Sequence, residues 1–168
     1  MIQKSKDHLP MYGVGPIYVY IIAIFTAAAF FCRKLKLLSS GNIKSGKIPL
    51  IVIGAIMIIV GIYMWIQAVI ISKVGKGIEE NKLVTTGIYA WVRNPIYSAF
   101  MILCTGVIVM IGNVYFFILP FTYWIFMTIL MKNTEEKWLK DLYGEEYEEY
   151  CKKVNRCIPW IPSGENSR

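Results

Sequence analysis

The chain has 168 residues, enough for one domain; 56% are hydrophobic, 17% are charged, and the mean hydropathy is +0.50. Soluble domains carry roughly 25% charged residues, so the balance excludes an ordinary soluble protein and indicates a membrane one. The net charge of +7 is spread between apolar blocks rather than gathered in one patch, which fits membrane topology and anionic headgroups and excludes a nucleic-acid interface.

His8, the sole histidine, precedes the first apolar block. Histidine bases and imidazole metal clusters are therefore excluded, and no metal site is expected. Cys32, Cys104, Cys151 and Cys157 lack the CxxC spacing of zinc or redox sites. The first ten residues are polar, and no secretory signal peptide is expected.

Block one, "PIYVYIIAIFTAAAFFC", covers residues 16–32, and block two covers 48–72. Each approaches the roughly 20 residues that a spanning helix needs. The third block runs from Pro95 to Met131 without a charge. As one helix its 37 residues would extend about 55 Å, against about 30 Å of hydrocarbon. It must fold back, and "IGN" at 111–113 supplies the turn chemistry. The expectation is a hairpin of 95–111 and 114–131. The fold class is therefore all-α: a single domain, 1–168, of about four transmembrane helices.

Four spans put both termini at one end. That end carries 13 Lys and Arg, and the 33–47 loop opposite carries 5. The positive-inside rule places the richer end in the cytoplasm, although five cations are a real counter-signal.

After Met131 the chain turns polar and amphipathic. Trp138, Leu139, Leu142, Tyr143, Tyr147, Tyr150 and Val154 recur on one helical face. Gly144 is expected to break this tail into two short cytoplasmic helices, and Asn133 with Glu136 resembles a capping box.

"GIYAWVRNPIY", residues 87–97, stands before the charge-free block. Asn94 suits the N-cap and Pro95 the first helical position. Arg93 beside that helix start forms a ready anion site; an interfacial arginine with aromatic-belt tyrosines is the plainer alternative. Glu135 and Glu136 sit where the hairpin returns, so they must approach residues 93–97. Facing charges of opposite sign suit a zwitterionic ligand, while acids in a solvated first helical turn are the plainer alternative. Met57, Met64 and Met101 are candidates for a lipid-side groove or for plain packing.

"LVTTGIYAWVRNPIYSAF", an apolar hairpin and then "TEEKWLKDLYGEEYEEYCKKVNRCIP" follow one another in order. This set resembles the C-terminal region of the isoprenylcysteine carboxyl methyltransferase family. It is similar, more distantly, to the phosphatidylethanolamine N-methyltransferases. The resemblance covers residues 82–162. It implies membrane methyl transfer from S-adenosylmethionine, with residues 132–162 closing over the cofactor. Carried over by position, it implies cofactor contacts at Tyr89, Arg93, Asn94, Pro95, Tyr97, Glu135, Glu136, Tyr147 and Tyr150. Arg93 and Glu136 are the implied catalytic pair. Asn94 departs from the histidine of the eukaryotic enzymes and cannot titrate near neutrality.

Lys153 and Arg156 are candidates for a substrate carboxylate or headgroup. The expected acceptor is a lipophilic or prenylated molecule, methylated on a carboxylate. N-methylation of a phospholipid or small amine is the alternative. A non-catalytic binding or transport component is the alternative of another class, although no ionisable residue lies inside any span.

Overall fold

The computed structural model describes residues 13–72, 75, 77 and 80–160. Helix α1 is Gly15–Cys32, started by Pro16 in its first turn. A one-turn α2, Lys36–Ser39, leads to α3, Lys47–Ile66, which continues as a π turn over Gln67–Ile71. After a 3-10 turn at Gly87–Ala90 come α4, Pro95–Ile111, and α5, Ile118–Asn133. Two amphipathic helices follow, α6 at Glu135–Tyr143 and α7 at Glu145–Lys153. Gly15–Cys32, Lys47–Ile71 and Val114–Tyr143 are long and apolar enough to cross a membrane, and Pro95–Ile111 is a shorter apolar helix. The chain is an all-α, multi-pass membrane bundle.

The charge-free block folds back where its length demands it. Gly112 ends α4 at φ +62°, and the Asn113 side chain accepts from the Tyr115 amide at 3.0 Å. The left-handed backbone at 112 is one that glycine adopts without penalty. The second arm opens with a 3-10 turn, Val114–Phe117, and α5 runs two residues past the expected 131.

Helix α4 is the centre of the bundle, with α3 on one side and α1 and α5 on another. Small residues set the α3–α4 crossing. A Cβ at Gly106 would lie 2.7 Å from the Gly54 carbonyl oxygen, and one at Gly61 2.9 Å from that of Ala99. In lipid, helix association depends on such close backbone contact, because hydrocarbon already solvates apolar side chains. On the other side, Tyr18 and Ile22 of α1 pack with Met101 and Cys104 of α4 and Tyr123, Met127 and Met131 of α5. Thr26 and Tyr123 share a hydroxyl hydrogen bond of 2.9 Å inside this core.

Two sequence expectations fail in detail. Asn94 holds the N-cap position of α4, but its side chain makes no cap; its Nδ2 donates to the Arg156 carbonyl at 3.1 Å. No capping box forms at Asn133 and Glu136. Asn133 ends α5 with its amide on the Ile129 carbonyl, Thr134 is the junction, and Glu136 turns into an ion pair. Tertiary partners claim Asn94 and Glu136, and Asn133 bonds back within its own helix instead of capping the next one. Met64 and Met101 are buried in helix packing, and among the described residues no methionine lines the main cavity described below.

Candidate active site

Four segments converge at the end of the bundle that holds the start of α1, the π turn, the start of α4 and the return of α5. They enclose a cavity of about 780 Å³, within the roughly 300–1,000 Å³ range of small-molecule sites. Tyr89, Arg93, Asn94, Pro95 and Tyr97 form one wall. Glu135 and Trp138 of α6, with Tyr147 and Tyr150 of α7, line the cavity as well. Val19 and Tyr20 of α1, Val69 of the π turn and Phe100 of α4 supply an apolar side.

The hairpin brings Arg93 to Glu136. Their Nη2–Oε1 distance is 3.4 Å, and their side chains are only 8% and 10% exposed. Arg156 completes the cluster: its Nε donates to Glu136 Oε1 at 2.6 Å and its Nη2 to Oε2 at 2.9 Å. That bidentate fork is the strongest form of carboxylate pairing. It also holds the Arg156 guanidinium charged, because the Glu136 hydrogen bond raises its pKa. Two cations on one carboxylate leave a net positive pole. Arg93 Nη1 contacts the Cys151 sulfur, while Arg93 Nε is buried and has no partner among the described residues.

The two glutamates therefore do different work. Glu136 is taken up by arginines and lies outside the cavity wall, whereas Glu135 lies on it. Glu135 Oε1 accepts from the Tyr97 hydroxyl at 3.0 Å and from the Gly15 amide at 3.2 Å. A Cβ at Gly15 would fall 1.9 Å from the Tyr97 ring and hydroxyl, and one at Gly13 would fall 2.2 Å from Glu135 Oε1. The start of α1 thus closes the site through bare backbone. Sequence reading missed this contribution: the signal was "GVGP" at 13–16, two glycines ahead of a helix-starting proline.

The tail is stitched to the α4 entrance. The Arg93 amide donates to the Asn155 carbonyl at 2.8 Å, Ser98 Oγ to that of Cys157 at 2.7 Å, and the Trp160 amide to that of Trp91 at 3.0 Å. Tyr150 donates its hydroxyl to the Tyr89 carbonyl at 2.6 Å. Burial pushes the phenols of Tyr89, Tyr147 and Tyr150 far above their ordinary range. They stay neutral and can donate hydrogen bonds, but none is a base at neutral pH. Lys153 is exposed on α7 and does not line the cavity, and Arg156 is committed to Glu136.

The phospholipid methyltransferase family profile matches residues 49–146, more than half the chain. Over 85 residues the chain is 40% identical to a protein-S-isoprenylcysteine O-methyltransferase of Schizosaccharomyces pombe, a stretch covering 50% of this chain and 36% of that protein. It is 35% identical over 89 residues to a probable enzyme of the same name from Oryza sativa, covering 49% and 44%. It is 36% identical over 87 residues to methanethiol S-methyltransferase 1 of Bradyrhizobium diazoefficiens, covering 52% and 30%. The matched stretch spans less than half the length of each of these relatives. No solved structure matches significantly.

Proposed function

The chain belongs to the phospholipid methyltransferase family, and from that membership we propose that it is a membrane methyltransferase using S-adenosylmethionine on a lipophilic acceptor. The observation that carries this reading is the two-pole cavity. Arg93, whose buried Nε–H has no partner among the described residues, and Glu135, held by Tyr97 and Gly15, both line it. An amino-acid moiety carries a carboxylate and an ammonium, and these poles match that pair of charges.

In this reading Arg93 and the start of α4 hold the carboxylate, and Glu135 takes the ammonium or ribose hydroxyls. Tyr89, Tyr147 and Tyr150 offer ring faces that favour a cation. Glu136 acts one step back: with Arg156 it fixes where the Arg93 guanidinium points. Asn94, which also lines the cavity, ties the tail shut through its bond to the Arg156 carbonyl. When bound, S-adenosylmethionine supplies an electrophilic methyl group. The chain's task is then to hold a nucleophile in line and exclude water. The closing tail serves the second need.

A carboxylate acceptor arrives already ionised, so the absence of a neutral-pH base among the cavity tyrosines is no obstacle. This favours carboxyl O-methylation of an isoprenylcysteine-like molecule, its hydrocarbon lying along Val19, Tyr20, Val69 and Phe100. An amine or thiol acceptor would have to give up a proton, and Glu135 is the cavity carboxylate that could take it. The cation-rich end, with the cavity, would face the cytoplasm.

The experiment is incubation of purified protein with methyl-labelled S-adenosylmethionine and a lipid extract. Base-labile label in a lipophilic product is expected. Base-stable label in a headgroup amine would replace the ester reading with N-methylation, and no transfer to any acceptor would overturn the proposal.

A further inference from the structure

The end of the bundle opposite the cavity carries Arg33, Lys34, Lys36, Lys44 and Lys47, cations that methyl transfer does not use. The sequence has no Asp or Glu between Asp7 and Glu79, nor between Glu80 and Glu135. No acid therefore stands on α1, α2, α3, α4 or the hairpin turn to balance them. Four of the five line one concavity of about 470 Å³: Arg33, Lys34, Lys44 and Lys47, with Asn42 and Gly112 between them.

The concavity has a built frame. Asn113, fully buried, donates to Asn42 Oδ1 and to the Leu38 carbonyl, both at 2.8 Å. The Ile43 amide donates to the Gly112 carbonyl at 2.8 Å, and Asn42 donates to the Arg33 carbonyl at 3.3 Å. These bonds lock the 33–47 loop onto the hairpin turn. The Arg33 guanidinium lies 4.2 Å from the Phe30 ring centroid. Lys47 opens α3, whose N-terminus has no side-chain cap and adds a partial positive charge. Phe31, Leu37 and Ile48, each within two residues of one of these cations in sequence, are at least three-quarters exposed. On a membrane bundle such apolar side chains meet lipid, so the anion matched to this site is one carried at the membrane surface.

We propose that this concavity binds the phosphate headgroup of an anionic phospholipid in the leaflet facing that end. Four of the five cations that oppose the positive-inside count are then a binding site rather than a topology signal. The proposal stands independently of the methyltransferase reading.

The test is native mass spectrometry of the detergent-solubilised protein titrated with phosphatidylglycerol, phosphatidylcholine or inorganic phosphate. The wild type is expected to retain phosphatidylglycerol preferentially. The exposed-site variant K44Q/K47Q should bind it about tenfold more weakly. The charge-matched variant K132Q/K137Q, at the other end, should bind as wild type does. Equal retention of phosphatidylcholine, equal loss in both variants, or displacement of the lipid by millimolar inorganic phosphate would each overturn the proposal. The wild-type comparison of the two lipids stands even if a variant misfolds.

Discussion

Glu136 shows how one carboxylate can govern a site that it does not line. It lies between Arg93 and Arg156 with about a tenth of its side chain exposed. Removing a buried partner strands the opposing charges, which costs about 3 kcal/mol. Glu136→Gln is therefore expected to lower the melting temperature measurably and to weaken methyl-donor binding, through a misdirected Arg93. A variant with unchanged stability would contradict the burial seen here. Gly15 makes a sharper test, because its hydrogen occupies space that no methyl group could. Gly15→Ala must push the Tyr97 ring aside and break the hydrogen bond to Glu135. Donor affinity should fall several-fold with little change in the far-ultraviolet circular dichroism spectrum; wild-type affinity would mean that the start of α1 does not close the site.

The hairpin owes its position to α3 as much as to its own turn. Its first arm, α4, meets α3 backbone to backbone at Gly54 and Gly106. Overpacking such a crossing costs about 3 kcal/mol, so Gly106→Val should shift the thermal unfolding midpoint down by several degrees. An unshifted midpoint would show the crossing to be loose. Much of this architecture was legible in advance. Thirty-seven uncharged residues cannot cross a bilayer once, and Gly112–Asn113 marked the return point. The RNP start of α4 and the two glutamates beyond α5 then had to meet. What periodicity could not supply was the competition between partners. Asn94 and Asn133 were both good caps in sequence, yet Arg156 and Ile129 carbonyls claimed them. Nor could it separate Glu135 from Glu136, adjacent on one helix and turned to different neighbours. The "GVGP" contact joins residues 120 positions apart; the glycines mark a close approach, but nothing local names Glu135 as the partner.

As a whole the molecule is a polarised bundle. One end gathers Arg93, Glu135, Glu136 and Arg156 under the α6–α7 tail, with the Asn155–Trp160 segment stitched across the α4 entrance. The other end holds cations with no acids. The helices between them present apolar surface outward, as exposed Ile24, Ile59 and Phe121 illustrate, which is the arrangement a lipid environment requires. The account rests on the first end being a nest for a zwitterionic methyl donor. Equilibrium binding of labelled S-adenosylmethionine to the protein in lipid nanodiscs tests this most directly, with wild type, Arg93→Gln and Glu135→Gln compared. The account predicts saturable binding that weakens about tenfold or more in each variant, as expected for losing a charged hydrogen bond. Absence of saturable binding by a folded wild type, or equal affinity in all three proteins, would contradict it.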